Sequence, residues 1–97
     1  MDQPQPTPPQ IQVRAADADI KGVYSNVMQV GSTREEFVFD FFNMVGGSGA
    51  LVSRVVVSPA HAKRILEALK EGIAKHEREY GAITAGPGPS GELGFKT

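Results

Sequence analysis

Glu35-Glu36-Phe37-Val38-Phe39-Asp40-Phe41-Phe42-Asn43-Met44 is the stretch on which the fold turns. Aromatic or β-branched residues fill five of the six positions from Phe37 to Phe42, the composition that suits a pleated, packed strand. Side chains alternate along a strand, so Phe37, Phe39 and Phe41 fall on one side and Val38, Phe42 and Met44 on the other. A strand that is apolar on both faces needs cover on both faces.

Working outward, Gly46-Gly47-Ser48-Gly49 reads as a flexible reversal and Ala50 to Val57 as the next strand, dense in β-branched residues. On the other side, Gly31-Ser32-Thr33-Arg34 supplies turn chemistry. Before it, Val23 to Val30 reads as a strand with Tyr24, Met28 and Val30 on one face and Val23 and Val27 on the other. Further back, Ile11 and Val13 alternate with Gln12 and Arg14 as a short first strand, and Ala15 to Lys21 reads as a loop ending at Gly22.

At Ser58-Pro59 the period changes. Ser58 is a favoured N-cap, and Pro59 suits the first helical position, where its missing N–H would be unpaired anyway. Ala62, Ile65, Leu66, Leu69, Ile73 and Tyr80 then recur at three- and four-residue spacing, which predicts an amphipathic helix from about Pro59 to Tyr80. The fold expected is α+β: an antiparallel four-stranded meander followed by one long C-terminal helix. A single domain over 10–81 is expected between a Pro/Gln-rich disordered tail over 1–9 and a Gly/Pro-rich disordered tail over 82–97.

Composition narrows the function. The 97 residues carry 10 Lys+Arg against 11 Asp+Glu, a formal charge of -1, so no global field draws nucleic acid or an anionic membrane. Within Gln10 to Gly81 the basic and acidic residues number nine each, which makes nucleic-acid binding an unfavoured expectation. There is no Cys, which excludes disulfides and thiolate metal sites. Absence of any secretion-type apolar run near Met1 and of any membrane-length apolar stretch leads to the expectation of a cytoplasmic protein without a membrane partner.

Lys21-Gly22-Val23-Tyr24-Ser25-Asn26, Glu36 to Phe41, Arg54 to Arg64 with its Ser58-Pro59-Ala60-His61-Ala62-Lys63-Arg64 run, Leu69 and Glu79-Tyr80-Gly81 together resemble a family of small bacterial and archaeal proteins that carries no assigned function. The resemblance spans about Ile11 to Gly81. It implies no catalytic, cofactor or ligand residues.

No constellation for catalysis emerges from the residues themselves, so a non-enzyme without cofactor or metal is expected. His61 and His76 are fifteen residues apart on the predicted helix, roughly 22 Å at 1.5 Å per residue, too far to share a metal. Gly46 to Gly49 joins two strands and lacks the Lys-Ser/Thr of a phosphate loop. No Ser stands in a nucleophile elbow. His61, Lys63 and Arg64, at the helix start, form a candidate anion contact.

Asp40 among apolar neighbours needs a partner, and Arg54 on the adjoining strand, sharing a face with Ala50, Val52 and Val56, is the natural one. One helix covers one sheet face, so Val38, Asp40, Phe42, Met44 and Arg54 are expected at an interface between copies in a homodimer or larger assembly. The function expected is a non-catalytic, oligomeric interaction module, adaptor or chaperone-like, for a protein or peptide. The alternative is a nucleic-acid or anion binder using the basic helix start.

Overall fold

The structure is a computed structural model that describes Pro4, Pro6 and residues 8–87, so the predicted tails over 1–9 and 82–97 lie in large part outside the described residues. Five elements follow in order: α1 (Asp17–Lys21), β1 (Val27–Ser32), β2 (Phe37–Val45), β3 (Ser48–Val57) and α2 (Pro59–Tyr80). The sheet is antiparallel with order β1-β2-β3, so the Phe-rich strand is the centre.

The expected fourth strand, at Ile11 to Val13, is not formed. Those residues have no regular structure, and both apolar side chains are exposed. Two alternating apolar residues give a strand too little to bury. The predicted loop from Ala15 holds instead the single turn α1, with Asp17 and Asp19 at its positive end and Gly22, at φ 75, stopping it.

β1 starts four residues later than the apolar pattern suggests, and Ser25 and Asn26 explain why. The Asn26 carboxamide acts as a surrogate peptide group: Nδ2 donates to the Met44 carbonyl at 2.8 Å and Oδ1 accepts from the Met44 N–H at 2.8 Å. Its own N–H donates to the Phe42 carbonyl, which also accepts from Ser25 Oγ. The ladder is thus continued past the end of β1 by side chains, and a polar residue there is a structural requirement.

Thr33 fastens the β1–β2 loop. Its N–H donates to the Glu36 carbonyl, and its hydroxyl accepts from the N–H groups of Glu35 and Glu36. Between β2 and β3 the reversal is tighter than the four-residue run predicts, because Gly46 takes φ 60 at the first central position of a two-residue turn, where a II′ hairpin needs glycine. Ser48 and Gly49 already belong to β3, and the Met44 side chain lies where any Cβ on Gly49 would sit.

A bulge between Phe41 and Phe42 shifts the β2–β3 register, so that Phe41 faces Ser53 while Phe42 faces Leu51. Val52 is the extra residue. Consequently Leu51, not Val52, shares the face of Arg54 and Val56, and Ala50 stands opposite Asn43 instead.

α2 is capped as its sequence dictates: Ser58 Oγ accepts from the His61 N–H at 3.1 Å, Pro59 opens the helix, and Gly81 at φ 95 ends it. At 22 residues it is about 33 Å long. It carries no buried residue, and only Ala62, Ile65 and Glu77 are half-buried. The described residues that are buried are Phe42 (6% exposed), Val57 (8%) and Asp40 (8%).

Two changes test these fastenings. Asn26→Ala removes two hydrogen bonds to Met44 and is expected to lower unfolding free energy by about 1–2 kcal/mol in urea titration. Ser58→Ala is expected to cost about 1 kcal/mol in the same measurement through the lost cap.

Candidate functional site

The two sheet faces differ in chemistry. One carries a polar row across all three strands: Gln29 on β1 pairs in register with Asp40 on β2, which pairs with Arg54 on β3. Arg54 Nε donates to Asp40 Oδ1 at 2.6 Å and Nη2 donates to Oδ2 at 2.8 Å, a bidentate geometry. Hydrogen bonding from the guanidinium, aided by its charge, holds the Asp40 carboxyl below the usual aspartate range against the opposing effect of burial. The same bonds raise the Arg54 pKa. Gln29, Gly31, Val38, Asp40 and Arg54 line a shallow depression here.

Of the residues expected at an interface, Asp40 and Phe42 are therefore buried and Val38 and Met44 are half-buried, while the Arg54 side chain remains 52% exposed. They share one face by register.

The opposite face carries Met28, Phe39, Phe41 and Val55, aligned across the strands by the pairs Met28–Phe41 and Phe39–Val55. α2 runs beside it, held by the short link from Val57 through Ser58. Helix and sheet do not close on one another. Between them lies a cleft of about 710 Å³ lined by Met28, Phe39, Phe41 and Val55 from the sheet and by Ala62, Ile65, Leu66, Ala68 and Leu69 from the helix. All nine are apolar. Leu66 and Leu69, which periodicity assigns to a packed stripe, are 50% and 57% exposed.

This cleft is what sequence reasoning missed. The apolar stripe of α2 signalled that the helix has something to bury, but not that the helix stands away from its own sheet.

The helix start offers less to an anion than its basic residues suggest. The His61 N–H is taken by Ser58 Oγ and the Ala62 N–H by the Ser58 carbonyl. Lys63 and Arg64 are exposed on the flank, with no acidic residue in the first turn. His76 stacks at a tilt on Tyr80, ring centres 4.8 Å apart, one helical turn before Gly81. Among the described residues no group of three His, Cys, Asp or Glu is placed to hold a metal ion, and no helix is long and apolar enough to cross a membrane.

An α+β domain with a three-stranded antiparallel sheet, a long C-terminal helix and an open apolar cleft between them is the class that these features define. The chain belongs to the family described as Protein of unknown function (DUF3467), whose model matches residues 1–85. No curated protein and no solved structure matches the chain.

The ion pair gives a pH dependence with a fixed sign. A carboxyl whose folded pKa lies below its unfolded value stabilises fully above the unfolded pKa, about 4, and loses that contribution as the pH falls through the folded value. Melting temperatures measured from pH 6 down to pH 2 are expected to fall less steeply for Asp40→Asn than for the parent, with the two curves converging at the acid end.

Proposed function

We propose that this chain is a non-catalytic, oligomeric interaction module that holds an apolar protein or peptide segment against its sheet. The observation that carries this reading is the cleft: nine apolar residues from two elements surround about 710 Å³ of open space. Its exposed Leu, Met and Val side chains form a contiguous patch, the feature that distinguishes a docking surface from scattered exposed hydrophobics.

The recognition mode that suits such a shape is helix-in-groove, in which a ligand helix lays residues at i, i+3/4 and i+7 onto the apolar walls. No charged side chain lines the cleft, so selection acts through apolar shape and the occupant's polar back meets solvent.

The test is calorimetric titration with a 15-residue amphipathic helical peptide bearing Leu at those spacings. Binding is expected to weaken at least about tenfold in Leu66→Asp, since burying one such side chain is worth about 1.5–3 kcal/mol. Lys63→Ala with Arg64→Ala is expected to leave it unchanged. Salt-sensitive binding of a polyanion, abolished by that basic double change, would instead establish the anion-binding reading.

A further inference from the structure

We infer that the occupant of the cleft is helix α2 of a second copy of this chain, two protomers related by a two-fold axis each laying that helix against the other's sheet. The inference rests on the reading of the cleft as a docking site and names its partner, so an added amphipathic peptide binds in competition with that helix.

One chain buries too little to hold itself together. Ordering the backbone costs conformational entropy, which apolar burial chiefly offsets. Among the described residues only two apolar side chains, Phe42 and Val57, are buried within one chain. A partner needed for folding itself must be present whenever the chain is made, and a second copy meets that condition, as in obligate homodimers.

The exposed apolar surface is continuous from the sheet to the helix. Met28, Val55, Leu66, Leu69 and Ile73 are each 42–57% exposed along the cleft and the continuing helix stripe. Together with the half-buried Phe39 and Phe41 they make one apolar surface that spans both walls of the cleft, the composition that marks the core of a homodimer interface.

Helix α2 complements the groove in shape and a second α2 in charge. The groove wants an amphipathic helix with an apolar stripe, and α2 is the amphipathic helix that this chain supplies, its stripe left unburied in the single chain. Antiparallel pairing sets the basic start of one helix, Lys63 and Arg64, near the end of the other, where Glu77 and Glu79 outnumber Arg78. Over the whole of α2 five basic residues face four acidic ones, so two copies meet without strong repulsion.

The experiment uses the full chain and exploits its lack of cysteine. Sedimentation at low micromolar concentration is expected to give a dimer whose dissociation constant rises at least about tenfold in Leu69→Asp. Because that variant can also unfold, single-cysteine chains provide the second arm: Leu69→Cys mixed with Met28→Cys is expected to form an interchain disulfide under mild oxidation, whereas Gln29→Cys, on the other face, mixed with Leu69→Cys is not. A dimer linked through Gln29→Cys and not through Met28→Cys overturns the assignment. A monomer that binds the amphipathic peptide overturns self-pairing and the oligomeric part of the proposed function while leaving the cleft as a docking site, whereas a monomer that binds none overturns both readings.

Discussion

The structure depends on a mismatch between what β2 needs and what the chain supplies. β2 is apolar on both faces except at Asp40 and Asn43, yet among the described residues the one long helix, α2, runs beside one face and does not close onto it. Three strands and one helix can stack as two layers, and a layer pair needs its facing surfaces in contact to exclude water. Here the facing surfaces are chemically matched and spatially apart. Everything distinctive about the molecule, from its few buried residues to its exposed helix stripe, follows from that separation.

The edges of the sheet show how register survives with so little core. A one-residue slip would carry every β2 side chain to the wrong face. Three devices oppose it: the Asn26 carboxamide clasped to the Met44 backbone, the bidentate Asp40–Arg54 pair across β2 and β3, and Met44 folded over Gly49 at the hairpin end. Each joins a specific residue pair, so each is lost on slippage. Hydrophobic patterning alone distinguishes the alternatives poorly when both faces of the centre strand are apolar, and polar pairing supplies the discrimination.

Legibility in the sequence followed the density of local signal. The centre strand, β3 and α2 with its Ser58 cap are written in consecutive residues, and the structure places them within a few positions of where the pattern does. Ile11 to Val13 misled because alternation over four residues is too short to separate a strand from an extended segment. The start of β1 was hidden by Asn26, a residue depleted in strands whose side chain here substitutes for a peptide group. The bulge at Val52 left no trace, since Leu51, Val52 and Val55 are equally at home on either face. Asp40 could be paired with Arg54 from sequence because a charge in an apolar run demands a partner, and the adjoining strand offered one. The cleft could not be read at all: periodicity reports that a helix has an apolar side, and the distance at which that side meets its partner is a property of the assembled chain.

That distance decides what the apolar stripe is for. Had α2 lain on the sheet, Leu66 and Leu69 would have joined Phe39 and Phe41 in a core, and the molecule would present water with an ordinary polar surface. Standing off, the same residues become two walls of an open cleft. The link between β3 and α2 is the single residue Ser58, whose side chain caps the helix, so the direction in which α2 leaves the sheet is constrained by a hydrogen bond as well as by Pro59. The exit of the helix through Ser58 and Pro59 and the register of the sheet together set the direction of the two apolar walls. A helix bound between those walls would bury them and complete the core that one chain leaves unfinished.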